Sequence, residues 1–155
     1  AKRNPVEPRI KPPPPKTVKK KYGNLRDWFK YVYPRWPRYA PGKFLVVDFD
    51  TGKKYYVKRV GGYNHADVEP ATKKDCDILK STYGGEWSWE RRAVIVYIGG
   101  EAIAGSINGM PHGYETVPNN GMNGQVCIHF LNSRTHVHNM RDPAHQSQVR
   151  RAAGK

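Results

Sequence analysis

The chain has few cysteines, few acidic residues and no long apolar run. Its two cysteines, Cys76 and Cys127, are too few for a disulfide scaffold, although they could form one disulfide bond with each other. No stretch approaches the roughly eighteen apolar residues that a membrane-spanning helix needs, so we expect no membrane span. Acidic residues number 13 against 27 lysines and arginines, which gives 155 residues a formal net charge of +14. The charge balance indicates a basic protein. The length of the chain is that of a single domain.

The positive charge is concentrated near the N-terminus. Residues 1–40 hold twelve lysines and arginines, two acidic residues and eight of the thirteen prolines. The proline run at 12–15 favours polyproline II, and few apolar groups surround it. We therefore predict a disordered or extended arm or linker over residues 1–22 and a folded domain over residues 23–155. The arm, residues 1–21, is either a plain linker or a segment that binds a polyanion, such as an anionic wall polymer.

Apolar and β-branched residues in the folded part predict a mostly β domain with an antiparallel or mixed sheet. Asp50-Thr51-Gly52 separates two strand-like segments and predicts a β-hairpin, and Gly99-Gly100 predicts a second turn between strands. We also expect two or three short helices, because Asn24, Thr72 and Asp142 are suited to cap helix N-termini. Pro34 and Pro37 would end the first helix. The predicted strands span residues 43–49, 54–60, 93–98, 102–107 and 125–131.

The chemistry-bearing residues gather in the C-terminal part, where five of the six histidines lie between residues 112 and 145. Cys127 lies in an apolar strand just after the turn at Gly124. A thiol reacts as the thiolate, which requires a nearby base, and His112 stands fifteen residues upstream. A hairpin between them would bring the two side chains together. A structural cysteine beside an unrelated histidine is the alternative, and Cys76, on an inner helix face, is expected in the core.

His112-Gly113, a gap in the mid-teens, and then Cys127-Ile128 resemble the L,D-transpeptidase catalytic domain of bacterial cell-wall enzymes, over residues 43–135. The resemblance implies that Cys127 attacks an amide carbonyl of a peptidoglycan stem peptide without a cofactor. It implies His112 as the base, the Gly113 carbonyl as the group that orients the ring, and the amides of residues 125–127 near the oxyanion. His129 stands where the family has an arginine and would take over its role. An extracellular or cell-envelope location follows from the same resemblance.

Substrate contacts are expected from aromatic and basic residues. Trp87 and Trp89 alternate on a strand and would share one face, which would either stack on sugar rings or pack on the core. Arg134 would hold a substrate carboxylate, as would the pair Arg91-Arg92. Ser133 and His136 belong to the same segment as Arg134 and are further candidates.

Two other functions remain open. His65 and Asp67 alternate on an extended segment and, with His136, would form a zinc site of a cell-wall peptidase. A non-enzymatic protein that binds nucleic acid or another polyanion would also be basic and aromatic. Nucleic acid is the less favoured partner, because most of the charge lies in the arm, away from the aromatic strands.

Overall fold

The computed structural model describes residues 21–155, so the predicted N-terminal arm lies outside the described residues except for its last two positions. Within residues 21–155, six antiparallel strands close into a barrel in the order β1-β2-β3-β6-β5-β4. The prediction of a mostly β domain with short helices is confirmed. The strands are β1 Phe44–Asp48, β2 Lys54–Gly61, β3 Ala66–Pro70, β4 Ser88–Ile98, β5 Glu101–Gly109 and β6 Val126–His129. The helical elements are a π-helical segment Trp28–Val32, α1 Tyr33–Arg35, α2 Lys73–Thr82 and α3 Pro143–Ala152.

Both predicted hairpins are present. In the first, the buried carboxylate of Asp48 accepts hydrogen bonds from the backbone amide and hydroxyl of Thr51, at 3.0 and 2.7 Å. Arg92 of β4 donates two bonds of 2.8 Å to the same carboxylate and so ties β4 to the turn. In the second, Gly99 and Gly100 have φ of 58° and 82°, the left-handed conformation that a tight hairpin turn requires.

The start of the folded part differs from the prediction. Asn24 does not cap a helix, because its backbone pairs with Ala102 and Ala104 of β5. Asp27 caps instead, and its side chain accepts a hydrogen bond from the Lys30 amide at 2.9 Å. Pro34 lies inside α1, which continues the π-helical segment directly, and the helix ends at Arg35, two residues before Pro37.

The helices α2 and α3 begin where predicted. Thr72 caps α2 and Asp142 caps α3, with Pro143 at the first helical position. Cys76 on α2 is 3% exposed and belongs to the main apolar cluster, as expected for a core residue. None of the helices described for residues 21–155 has the length and apolar character needed to cross a bilayer.

Strand periodicity separates the barrel core from an outer face that carries polar groups. Ala66 and Val68 of β3, and Val126 and Ile128 of β6, belong to the apolar core. Successive side chains of a strand point to opposite faces. The residues between them therefore face outward, which brings Asp67 and Cys127 together as a register pair on adjacent strands. On the same face of β4 and β5, Ala93 and Ala104 are covered by Ala152 of α3.

Glu69, the next outward residue of β3, is fully buried under the loop that precedes β6. Its carboxylate accepts hydrogen bonds from the amide and hydroxyl of Thr116, at 2.8 and 2.5 Å. It also accepts bonds from the Val117 amide and the Asn120 side chain. This one carboxylate therefore fixes the loop that leads to Gly124 and Cys127.

Candidate functional site

An open cavity of about 550 Å³ lies on the outer face of the barrel, where β3, β5 and β6 meet the N-terminal end of α3. Each strand contributes polar side chains through its outward positions, and α3 contributes its first turn. The lining includes His65, Asp67, Asn108, Cys127, His129 and His145.

Cys127 lies in this cavity and is 5% exposed. Its Sγ accepts a hydrogen bond of 2.7 Å from the Asn108 side-chain amide. Burial, with a smaller contribution from the Asp67 carboxylate, raises the pKa of the Cys127 thiol to about 12, although the Asn108 bond acts in the opposite direction. The resting group at neutral pH is therefore the thiol, and a reaction through sulfur needs a proton acceptor or a cation close by.

Three imidazole rings stack beside the thiol. The His129 ring is parallel to that of His145, with centroids 3.8 Å apart, and lies 4.6 Å from that of His65. Burial, reinforced by the neighbouring histidines, lowers the pKa of His129 well below 6.5. Burial and the nearby Arg91 lower the pKa of His145 to about 3. The rings of His129 and His145 are therefore neutral at neutral pH, which is the form that accepts a proton or binds a metal.

Two of the rings are fixed by hydrogen bonds, and the third has a free nitrogen. His65 Nδ1 lies 2.8 Å from the Arg134 carbonyl oxygen and must donate to it, while Nε2 lies 3.1 Å from an Asp67 oxygen. His145 Nδ1 lies 2.8 Å from the Ser106 hydroxyl. His129 Nδ1 is buried and finds no hydrogen-bond partner within residues 21–155.

Unpartnered polar atoms concentrate at this cavity. Of the six buried side-chain nitrogen and oxygen atoms without a partner in the described part of the chain, three belong to residues that line it: Arg91 Nε, Asn108 Oδ1 and His129 Nδ1. Each such atom costs about 1–3 kcal/mol, so proteins rarely keep them without a role. Their clustering marks the cavity as the candidate site.

Among the described residues, His65, Cys127 and His129 could hold a metal ion. Each offers one ligand atom, and the three atoms lie within 4.8 Å of one another. The set predicted from the sequence was His65, Asp67 and His136, and it shares only His65 with this group. Asp67 bonds to His65, whereas the His136 ring is 6.4 Å from that of His65.

His112 and Gly113 stand at the exposed rim of the same cavity. The backbones of His112 and Gln125 exchange two hydrogen bonds, so the segment of His112 pairs with the approach to β6 as expected. The His112 ring bonds to the Met110 carbonyl at 2.8 Å and lies 5.3 Å from the Trp89 ring. The Gln125 amide, expected near an oxyanion, donates to the His112 carbonyl instead.

The expected substrate-binding residues divide into two groups. Trp89, 51% exposed, and His136 line the cavity. Trp87 packs against the core, and the Ser133 hydroxyl is buried, where it accepts the Phe130 amide. The Arg134 guanidinium donates to the Asn139 carbonyl, outside the cavity lining. Arg91 and Arg92 are bonded to Asp142 and Asp48.

Asn108 and His145 line the cavity but were missed at the level of sequence, as was Ser106, whose hydroxyl bonds to the His145 ring. Ser106 and Asn108 interrupt an apolar strand at alternate positions, which is a signal for a polar outer face. His145 follows its helix cap by three residues, and nothing local connects it to β6. Comparison with protein-family models, with curated proteins and with solved structures finds no match to this chain.

Proposed function

We propose that this chain is a cysteine enzyme that cleaves or transfers amide bonds of peptidoglycan stem peptides through a thioester on Cys127. One observation carries the proposal: the Cys127 sulfur and ring nitrogens of His65 and His129 lie within 4.8 Å of one another, in a cavity open to a substrate. The resemblance of His112-Gly113 and Cys127-Ile128 to L,D-transpeptidases supplies the substrate class.

We assign the proton acceptor to His129. One of its ring nitrogens belongs, with Cys127 Sγ, to the group of atoms that lie within 4.8 Å of one another, and its buried Nδ1 has no hydrogen-bond partner in the described chain. Both nitrogens of His65 are engaged, by the Arg134 carbonyl and by Asp67. His112, which the resemblance makes the base, bonds to its own loop at the rim and there faces the incoming substrate.

The reaction then proceeds in two steps, acylation of Cys127 and transfer of the acyl group. Cys127 Sγ bonds to the amide carbonyl carbon, the thiol proton passes to His129, and the carbon–nitrogen bond breaks as that proton moves to the leaving amine. An acceptor amine or a water molecule next attacks the thioester carbonyl. It gives its proton to His129, which returns the proton to the departing sulfur. Asn108 holds the sulfur in place through its 2.7 Å bond.

The rim provides contacts for the rest of the substrate. Trp89 and Tyr114 line the cavity with rings that are 51% and 86% exposed, and exposed rings of this kind stack on sugars and other flat groups. We propose a cell-envelope location because the resemblance to L,D-transpeptidases implies it. Contact between residues 1–21 and anionic wall polymers stays a prediction.

A zinc-dependent cell-wall peptidase is the second candidate, because His65, Cys127 and His129 would leave one position open to the cavity. Zinc would there lower the pKa of a bound water and so supply the nucleophile. Cys127 would then be a ligand rather than the attacking group.

The test follows turnover of tetrapeptide-bearing muropeptides by mass spectrometry, with and without a chelator. We expect Cys127→Ala to lose turnover at least about 100-fold, and His129→Gln to lose about 100-fold or more as a proton acceptor. Cys76→Ser, which removes the other thiol, is the matched control and should keep turnover. Chelation should leave the parent protein active.

Each contrary outcome has one meaning. Full turnover by Cys127→Ala removes Cys127 from both candidate mechanisms. Loss of the parent's turnover on chelation, restored by Zn²⁺, replaces the thioester mechanism with the zinc mechanism. Absence of turnover in the parent contradicts an enzymatic role on these substrates.

A further inference from the structure

We infer that His65, Cys127 and His129 form a site for a soft divalent cation such as Zn²⁺, and that the bound cation blocks the cysteine. Binding of the ion is independent of the proposed function, whereas inhibition by the ion rests on it. Cys127 and His129 lie in β6, and His65 directly precedes β3, the strand that pairs with β6 in the barrel. The ion would therefore find its ligands already positioned rather than having to order a loop.

The ligand set matches the chemistry of zinc. Two imidazole nitrogens and one sulfur are the donors that Zn²⁺ and Cu⁺ prefer, whereas Mg²⁺ and Ca²⁺ prefer oxygen. The three ligand residues are 2–5% exposed, so little water competes for the ion at these atoms.

The groups that surround the ligands are arranged as in typical metal sites. A metal-binding histidine usually donates its other ring N–H to a carbonyl or carboxylate. His65 does so from Nδ1 to the Arg134 carbonyl at 2.8 Å, and its Nε2, 3.1 Å from an Asp67 oxygen, would exchange that contact for the ion. The Asn108 amide donates to the Cys127 sulfur and would stabilise the thiolate that forms when an ion binds.

A fourth ligand is available on the same face. Asp67 pairs with Cys127 in the strand register, and its carboxylate lies 3.1 Å from His65 Nε2. A carboxylate oxygen is an acceptable zinc ligand. When an ion enters, the carboxylate either joins it or leaves the fourth position to a group from the cavity.

Zinc binding to the Cys127 sulfur would inhibit the proposed reaction. On binding, the thiol proton leaves to solvent and the sulfur forms a bond to the ion, so its electron pair is no longer free to attack a carbonyl. An ion at these ligands would also occupy His129, the proton acceptor. Zinc would thus remove both reacting groups at once.

The first experiment measures binding on tag-free, chelator-treated protein titrated with Co²⁺, followed by competition with Zn²⁺. We expect one ion per chain, with a thiolate-to-cobalt charge-transfer band. Cys127→Ser should abolish that band, and His65→Ala and His129→Gln should each weaken Zn²⁺ affinity at least tenfold. Cys76→Ser and His112→Ala, with circular dichroism to verify folding, are controls that should bind like the parent. The proposed site is wrong if the parent protein shows no charge-transfer band. It is also wrong if all three ligand variants bind Zn²⁺ as tightly as the parent.

The second experiment measures inhibition. Zn²⁺ should slow alkylation of Cys127 by iodoacetamide and suppress muropeptide turnover, and chelator should restore both. If Zn²⁺ binds but turnover rises, the blocking role is wrong and the zinc mechanism holds. If Zn²⁺ does not bind while turnover still requires Cys127, the cation site is wrong and the thioester mechanism stands.

Discussion

At the scale of single residues, Gly124 shows how the site depends on backbone geometry. Its φ is +118°, and a Cβ at this position would lie 2.9 Å from both the backbone nitrogen and oxygen of His112. Glycine is therefore required twice, by the conformation and by the close approach of two chains. That approach allows His112 and Gln125 to pair immediately before Cys127.

We predict that Gly124→Ala lowers the free energy of unfolding by about 2–4 kcal/mol, because it adds a backbone clash to the strain of a positive φ. Gly42→Ala is the matched control: its φ is +89°, and nothing lies within 4 Å of the added Cβ. The control should cost only about 1–2 kcal/mol. Urea unfolding of both variants measures the difference, and equal losses would show that the contact with His112 carries no energy.

The site residues were only partly predictable for a physical reason. Cys127 and His129 share a face because strand side chains alternate, and that much follows from local sequence. His145 contacts His129 through the packing of α3 on the barrel, which no local pattern encodes. Local sequence also does not show whether the His112 ring or the His129 ring lies nearer to the Cys127 thiol, because this depends on the path of the loop that carries His112.

At the scale of elements, Glu101 at the start of β5 anchors the segment before the π-helix to the barrel. Its carboxylate accepts hydrogen bonds from Asn24, Arg26 and Tyr31, at 2.8, 2.7 and 2.6 Å. The Tyr31 and Asn24 bonds, helped by Arg26, lower the pKa of Glu101 from 4.5 to about 2. A carboxylate with a depressed pKa in the folded state stabilises the protein as long as it stays ionised.

This contribution should be complete above pH 4.5 and lost as the pH falls toward 2, because the unfolded chain takes up the proton first. We predict that the parent loses unfolding free energy across this window and that Glu101→Gln loses less over the same window. Chemical unfolding at several pH values measures both slopes. Lys73, whose exposed ion pair with Asp77 lies on α2, offers Lys73→Gln as a control with an unchanged slope. Identical slopes for parent and Glu101→Gln would contradict the assignment.

Among the elements, β3 is the one that the sequence did not predict as a strand. Two acidic residues and a proline lower the β propensity of Ala66–Pro70. The strand forms because tertiary partners satisfy these residues: Asp67 bonds to His65, and Glu69 binds the loop before β6. The two glycine hairpins were predictable because both strands and their turn lie within one short segment.

At the scale of the whole molecule, closure of the barrel creates the site. The pairing of β3 with β6 brings His65 and Asp67 beside Cys127 and His129, although about sixty residues separate them in the chain. Local periodicity predicts which face of each strand is polar, but not which strands become neighbours. The sequence therefore indicated the mostly β class, whereas the closed strand order and the composition of the cavity required the tertiary structure.

In the proposed mechanism Cys127 carries the acyl group. The most direct test is to measure the intact mass of the protein after brief incubation with a tetrapeptide-bearing muropeptide, and then to locate any adduct by peptide mapping. We predict an adduct equal to the acyl part of the stem peptide on Cys127, absent from Cys127→Ala and still present after chelation. An unmodified Cys127 during measurable turnover, or an adduct on Cys76 instead, would contradict the thioester mechanism.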